Sequence, residues 1–156
     1  MLIDPAALAI AGGAIALAGG IGGSAIGIGM AASAGAATLG EDPKQLRNVI
    51  LLSSLPMTQT FYALILLIIV ITTVVPQLGP DNPNGFAVLA IGLIVAVAEF
   101  FSAWFQGNVC ASTISLLAKT KGKILTNGIM LAVLVELFGL LGMVFAIMTM
   151  TLINIM

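Results

Sequence analysis

Charge is what this sequence has least of. Its 156 residues hold five Lys or Arg, six Asp or Glu and no His. Five basic residues make no patch for nucleic acid, and a net charge of −1 gives no long-range attraction to it. The single Cys110 excludes an intrachain disulfide and a Cys-based metal site. Inside an apolar run it reads as a small buried hydrophobe. The first residues carry Asp4 but no Lys or Arg. The positive start of a signal peptide is missing, so the first helix is expected to be retained. No P-loop is present, and no nucleotide site is expected on this chain.

What is there instead is apolar. Sixty per cent of the residues are hydrophobic, 7% are charged, and mean hydropathy is +1.22. Such values indicate an integral membrane protein. Four runs, 5–39, 44–75, 86–118 and 124–156, are each long enough to cross a bilayer as a helix. Polar turns at 40–43, 76–85 and 119–123 separate them. The expected fold is an all-α membrane protein. It is a single membrane domain, 1–156, whose four transmembrane helices form two hairpins, 5–75 and 86–156. Gly19, Gly23, Gly27, Ala31 and Gly35 recur every four residues and make a smooth packing stripe on the first helix. In water that glycine content would argue against a helix.

All the basic residues, Lys44, Arg47, Lys119, Lys121 and Lys123, fall at the first and third turns. The second turn carries Asp81 and the N-terminus Asp4. The positive-inside rule puts turns 40–47 and 119–123 in the cytoplasm and both termini outside. A shift of 78 residues aligns Ser24-Ala25 with Ser102-Ala103, Gly29 with Gly107, the two basic turns, and Thr58 with Glu136. That register suggests a duplicated two-helix unit in which only the second copy carries the carboxylate.

Glu136 is the only charge between Lys123 and the C-terminus. A carboxylate near the middle of a membrane helix costs about 2.5–3.5 kcal/mol on insertion scales. It marks a functional site unless it is simply a protonated group hydrogen-bonded inside the bundle. The second helix contains Leu55-Pro56-Met57-Thr58-Gln59-Thr60-Phe61-Tyr62. Pro56 lacks an N–H, frees the carbonyl of Leu52 and loosens the helix. Thr58, Gln59 and Tyr62 set three oxygen-bearing side chains within about one turn, Thr58 and Tyr62 on one face. The third helix holds Gln106 and a second carboxylate, Glu99. At about 1.5 Å per residue, Glu136 and Thr58 each lie about 20 Å from the start of their spans, and Gln106 about 18 Å from the end of its own. Thr58, Gln59, Gln106 and Glu136 can therefore meet at one depth. One carboxylate among neutral oxygens suits a small hard monovalent cation such as Na⁺. Glu99 lies on nearly the same face as Gln106 and about 10 Å nearer the outside. It reads as a protonated or pore-facing group, or as an auxiliary carboxylate that adds an ion ligand or an access path.

At these residues the chain resembles a family. The Gly-rich first helix, LPxTQxxY in the second, Gln-Gly in the third and VE before an apolar run in the fourth are similar to the 16-kDa rotor proteolipid of V-type ATPases, in particular the Na⁺-transporting bacterial kind. The similarity runs over essentially the whole chain. It implies a homo-oligomeric ring in the plasma membrane that turns against a stator while ATP is hydrolysed or made on other subunits. It implies that Glu136 is the ion-binding carboxylate, that Thr58, Gln59, Gln106 and the Leu55 carbonyl are Na⁺ ligands, and that Tyr62 hydrogen-bonds the Glu and closes the site. H⁺ or Li⁺ could take the place of Na⁺. The implied partners are identical subunits, membrane lipid, a stator subunit with a membrane Arg, and central-stalk subunits at the cytoplasmic turns. Glu99 departs from the pattern, which has a small or neutral residue there. So do Phe100, Phe101, Trp104 and Phe105, whose bulk is expected to face a lipid-filled ring lumen.

Two other functions compete. A stand-alone four-helix cation antiporter would use the membrane Glu to exchange substrate and protons. Inverted repeats and broken helices would mark it, whereas two helices per hairpin make this repeat parallel. A structural proteolipid would leave four oxygen ligands at one depth unexplained.

Overall fold

Asp4 starts the first helix. Its carboxylate accepts the amide of Ala6 at 3.0 Å, and Pro5 takes the first helical position, where a missing N–H costs nothing. The computed structural model describes residues 4–80 and 82–156. Asp81, assigned above to the second turn, lies outside the described residues.

Helix α1 spans Pro5–Glu41. It runs through Gly40 and Glu41, so the expected turn shrinks to Asp42. The Asp42 N–H bonds the Thr38 carbonyl, while its side chain accepts from the Lys44 amide at 3.1 Å and Gln45 Nε2 at 2.9 Å. Helix α2 spans Pro43–Gln77 and is irregular at two places. A 3₁₀ turn at Leu55–Met57 accommodates Pro56. A π turn at Val70–Val74 precedes Pro76, whose ring would crowd the carbonyl four residues back at Thr72 in a regular helix. Helix α3 spans Asn84–Ile114, and the single helical turn Leu117–Thr120 follows it. The third apolar run is thus broken four residues earlier than expected. Helix α4 spans Leu125–Leu152. All four long helices are apolar enough to cross a membrane, and the described residues contain no strand.

Glycine sets the closest packing. A Cβ on Gly12 would fall 2.7 Å from the Val88 carbonyl oxygen, and one on Gly85 2.6 Å from that of Pro5. Side chains on Gly19, Gly23 and Gly27 would run into the backbone of Ala96, Phe100 and Ala103, and Gly92 and Gly107 meet Gly12 and Gly27 directly. The partner numbers rise together, so α1 and α3 run parallel with their backbones in contact. Against α2, Gly13 meets Leu67, Gly20 meets Gln59 and Ala63, Gly27 meets Pro56 and Gly35 meets Val49, an antiparallel pairing. Ala31 is fully buried.

The apolar core forms two clusters. One gathers Ala9, Ala16, Leu66, Val70, Val95, Ala146 and Met150. The other gathers Ala31, Val49, Leu52, Cys110, Ile114 and Ala132. Along each helix a polar stretch separates them, containing buried Gln59, Glu99, Ser102 and Gln106. The first and third turns meet at one end. Gly122, at φ +81, leaves room for Gln45 and Asn48, and Thr38 Oγ1 donates to the Ile114 carbonyl at 3.0 Å. The five basic residues around this end are all exposed.

Gly92→Val should separate α1 from α3 and cost about 1–3 kcal/mol or more, because the side chain meets backbone that cannot rotate away. Gly40→Ala, with nothing nearby, should leave stability equal or higher. Thermal unfolding in detergent reads both, and an unshifted Gly92→Val would refute the packing. The Gln45 side chain, then the Lys44 N–H, hold the Asp42 carboxylate below its ordinary range. A lowered folded value stabilises the turn at pH above the ordinary carboxylate range, and the contribution is lost as pH falls through the folded value. In Gln45→Ala the Asp42 titration, followed by NMR, should move upward.

Candidate functional site

The polar layer is one continuous hydrogen-bonded set. The 3₁₀ turn brings the Leu55 carbonyl to the Thr58 hydroxyl, 3.1 Å away, and the same hydroxyl lies 3.2 Å from Gln59 Oε1. Gln59 Nε2 donates to Gln106 Oε1 at 2.9 Å and to Ser102 Oγ at 3.1 Å. Gln106 Nε2 donates to Glu136 Oε2 at 3.1 Å, and the Tyr62 hydroxyl donates to Glu136 Oε1 at 2.8 Å. Ser102 Oγ closes the set by donating to the Val135 carbonyl at 3.0 Å. The structure therefore connects Leu55, Thr58, Gln59, Tyr62, Gln106 and Glu136, on three helices, without a gap. Counting back from 118 overstates the depth of Gln106, because α3 ends at Ile114; the side chains meet nonetheless.

Burial is uneven. Gln59 and Gln106 are fully enclosed, whereas Thr58, Tyr62 and Glu136 are half-buried at the side of the bundle. Both oxygens of Glu136 have donors, as an ionised carboxylate requires in a low-dielectric setting. The chemistry on offer is five oxygen-bearing groups, one of them charged. Turning the terminal amide of Gln106 by half a rotation would exchange its N–H for a carbonyl oxygen. Among the described residues no cluster of three His, Cys, Asp or Glu exists to hold a metal of higher charge.

Glu99 is not pore-facing. Its side chain is fully enclosed by this chain and turned towards α4, where a Cβ on Gly139 would lie 2.6 Å from its Oε2. The four aromatics of α3 do not share one outward face. The Phe100 ring lies over Gly22 of α1. Phe101 and Phe105 line the groove between α3 and α4 with Val135 and Phe138. Phe101, Trp104 and Phe105 stack with ring centroids 6.3 Å apart. Sequence reasoning missed Ser102 and Gly139. Ser102 stands four residues before Gln106 and Gly139 three after Glu136, so helical spacing was the available signal.

The ATP synthase C-chain family matches residues 11–70 and again 89–149. The V-type sodium ATPase subunit K of Enterococcus hirae is 34% identical over 117 residues, 74% of this chain and 72% of that protein. The A-type ATP synthase subunit K of Methanocaldococcus jannaschii is 34% identical over 125 residues, 80% of this chain and 55% of that protein.

Tyr62→Phe removes a 2.8 Å hydrogen bond to a carboxylate. A charge-assisted bond of this kind is worth about 1.5–3 kcal/mol. The variant should fold, and its Glu136 should react faster with a hydrophobic carbodiimide. An unchanged labelling rate would show that Tyr62 does not close the site.

Proposed function

Because the chain belongs to the ATP synthase C-chain family, as a V-type proteolipid and non-catalytic ATPase subunit, we propose that it is the Na⁺-carrying rotor subunit of a V-type ATPase. The cargo rides on Glu136. The observation that carries this reading is the unbroken set of oxygen groups from the Leu55 carbonyl to Glu136. Na⁺ takes oxygens from Leu55, Thr58, Gln59 and Gln106 and its counter-charge from Glu136. A proton needs only the carboxylate. The neutral oxygens therefore favour a metal cation over H⁺, with Li⁺ as a substitute.

The assembly follows from the surfaces. Large apolar side chains are exposed on every helix, among them Ile21, Phe61, Ile94, Leu134 and Phe138. Neighbouring copies in a ring and lipid cover them in this reading. The two hairpins are a duplicated unit, supported by family matches that begin at residues 11 and 89. The basic end faces the cytoplasm and receives the central stalk, supported by the exposed Lys44, Arg47, Lys119, Lys121 and Lys123. Release of the cargo requires a competing positive charge. No Lys or Arg lies near the middle of a span, so an Arg on a separate stator subunit supplies it.

A large homo-oligomer that survives SDS supports the ring, and a monomer or dimer supports an antiporter. Glu136→Gln keeps the side chain's size and should assemble, yet abolish Na⁺ uptake into vesicles carrying the whole complex. Gln106→Leu should weaken Na⁺ binding while leaving Glu136 open to carbodiimide. Normal uptake with Glu136→Gln would sink the assignment. Unchanged Na⁺ affinity in Gln106→Leu would sink the choice of ion.

A further inference from the structure

The site holds one carboxylate more than a single monovalent cation can neutralise. We propose that Glu99 anchors a second site for a small monovalent metal cation of the Na⁺ class, so that each chain carries two such ions. The inference rests on reading Glu136 as the first ion carrier.

The two intramembrane carboxylates differ in what surrounds them. Glu136 has a donor on each oxygen. Glu99 is fully buried, and neither of its oxygens has a hydrogen-bond partner. A carboxylate in that position needs a positive partner, since leaving it bare in a low-dielectric interior is strongly disfavoured. The only Lys and Arg residues sit at the basic end of the bundle, so the protein's own fixed charges cannot provide one.

Space is made for the carboxylate. A methyl group on Gly139 would lie 2.6 Å from Glu99 Oε2 and 3.1 Å from Ser102 Oγ. Glycine at 139 therefore leaves both oxygens open to the same pocket. Ser102 Oγ receives Gln59 Nε2 and donates to the Val135 carbonyl, which leaves it a lone pair. Gln59 Oε1, engaged by Thr58, retains another. Two carboxylate oxygens, a hydroxyl and an amide oxygen make a hard donor set of the kind Na⁺ takes. Gln59 belongs to both sites, so filling one affects the other. Two carboxylates with two monovalent cations leave the layer neutral, and a ring of given size then moves twice as many ions per turn.

Equilibrium binding of radioactive Na⁺ to the purified, assembled proteolipid at mildly alkaline pH tests this. The unaltered protein should bind two Na⁺ per chain, and Glu99→Gln and Glu136→Gln one each. Gly139→Ala should weaken one class about tenfold or more and spare the other, because the methyl group overpacks the pocket beside Glu99. One Na⁺ per chain that survives Glu99→Gln and disappears in Glu136→Gln overturns the second site and leaves the Glu136 reading standing. A Na⁺ that survives Glu136→Gln but not Glu99→Gln does the reverse. If Glu99→Gln fails to assemble, the count on the unaltered protein decides: two supports the proposal and one overturns it.

Discussion

A carboxylate inside a bilayer must be neutralised at every moment, and that constraint shapes the rest of this molecule. It explains why so hydrophobic a chain retains amide, hydroxyl and phenol groups at one level, all leading to Glu136. It also explains where those groups come from. Oxygen donors on α2, α3 and α4 can converge only if the helices are held close and in fixed register. The two apolar clusters on either side of the polar layer provide that register, and the donors lie between them in the driest part of the bundle. An interaction this strong at low dielectric costs little to keep once formed and a great deal to lose.

The small-residue contacts are the other half of the construction. Lipid gives helices no hydrophobic reason to associate, so backbone proximity has to supply the attraction. Gly12, Gly19, Gly23 and Gly27 let α1 lie directly on α3, and Gly13, Gly20 and Gly35 let it lie on α2. Helix α1 contributes no atom to the hydrogen-bonded set around Glu136. Its part is to bring two donor-bearing helices to a common wall. Gly139 shows the same device at one spot, with a missing side chain on α4 making room for a charged one on α3.

Much of this was legible in the sequence. Uncharged runs of about 30 residues admit only helices in lipid, and polar intervals between them mark the turns. Pro56 beside Thr58 and Gln59 announced a loosened turn with oxygens on it. The features that escaped were those set by neighbours across space. The π turn depends on Pro76 acting back on Thr72 within a β-branched run, which a hydropathy pattern does not register. The break after Ile114 occurs inside apolar sequence. Glu99 could not be oriented, because its direction depends on the gap at Gly139, forty residues away on another helix. The aromatics of α3 were expected on one face because their spacing alone does not say which neighbours divide them.

The parallel contact between α1 and α3 has a mechanical meaning. Two helices that touch through main-chain atoms have few side-chain rotamers between them to yield under load. Displacement of one must displace the other, and the pair behaves as a single stiff beam. Helix α4 is the least buried of the four, so it is the compliant member, free to tilt while the beam stays straight. A twist applied at the basic end would travel along α1 and α3 almost undiminished, and whatever elastic give the bundle has is concentrated beside Glu136.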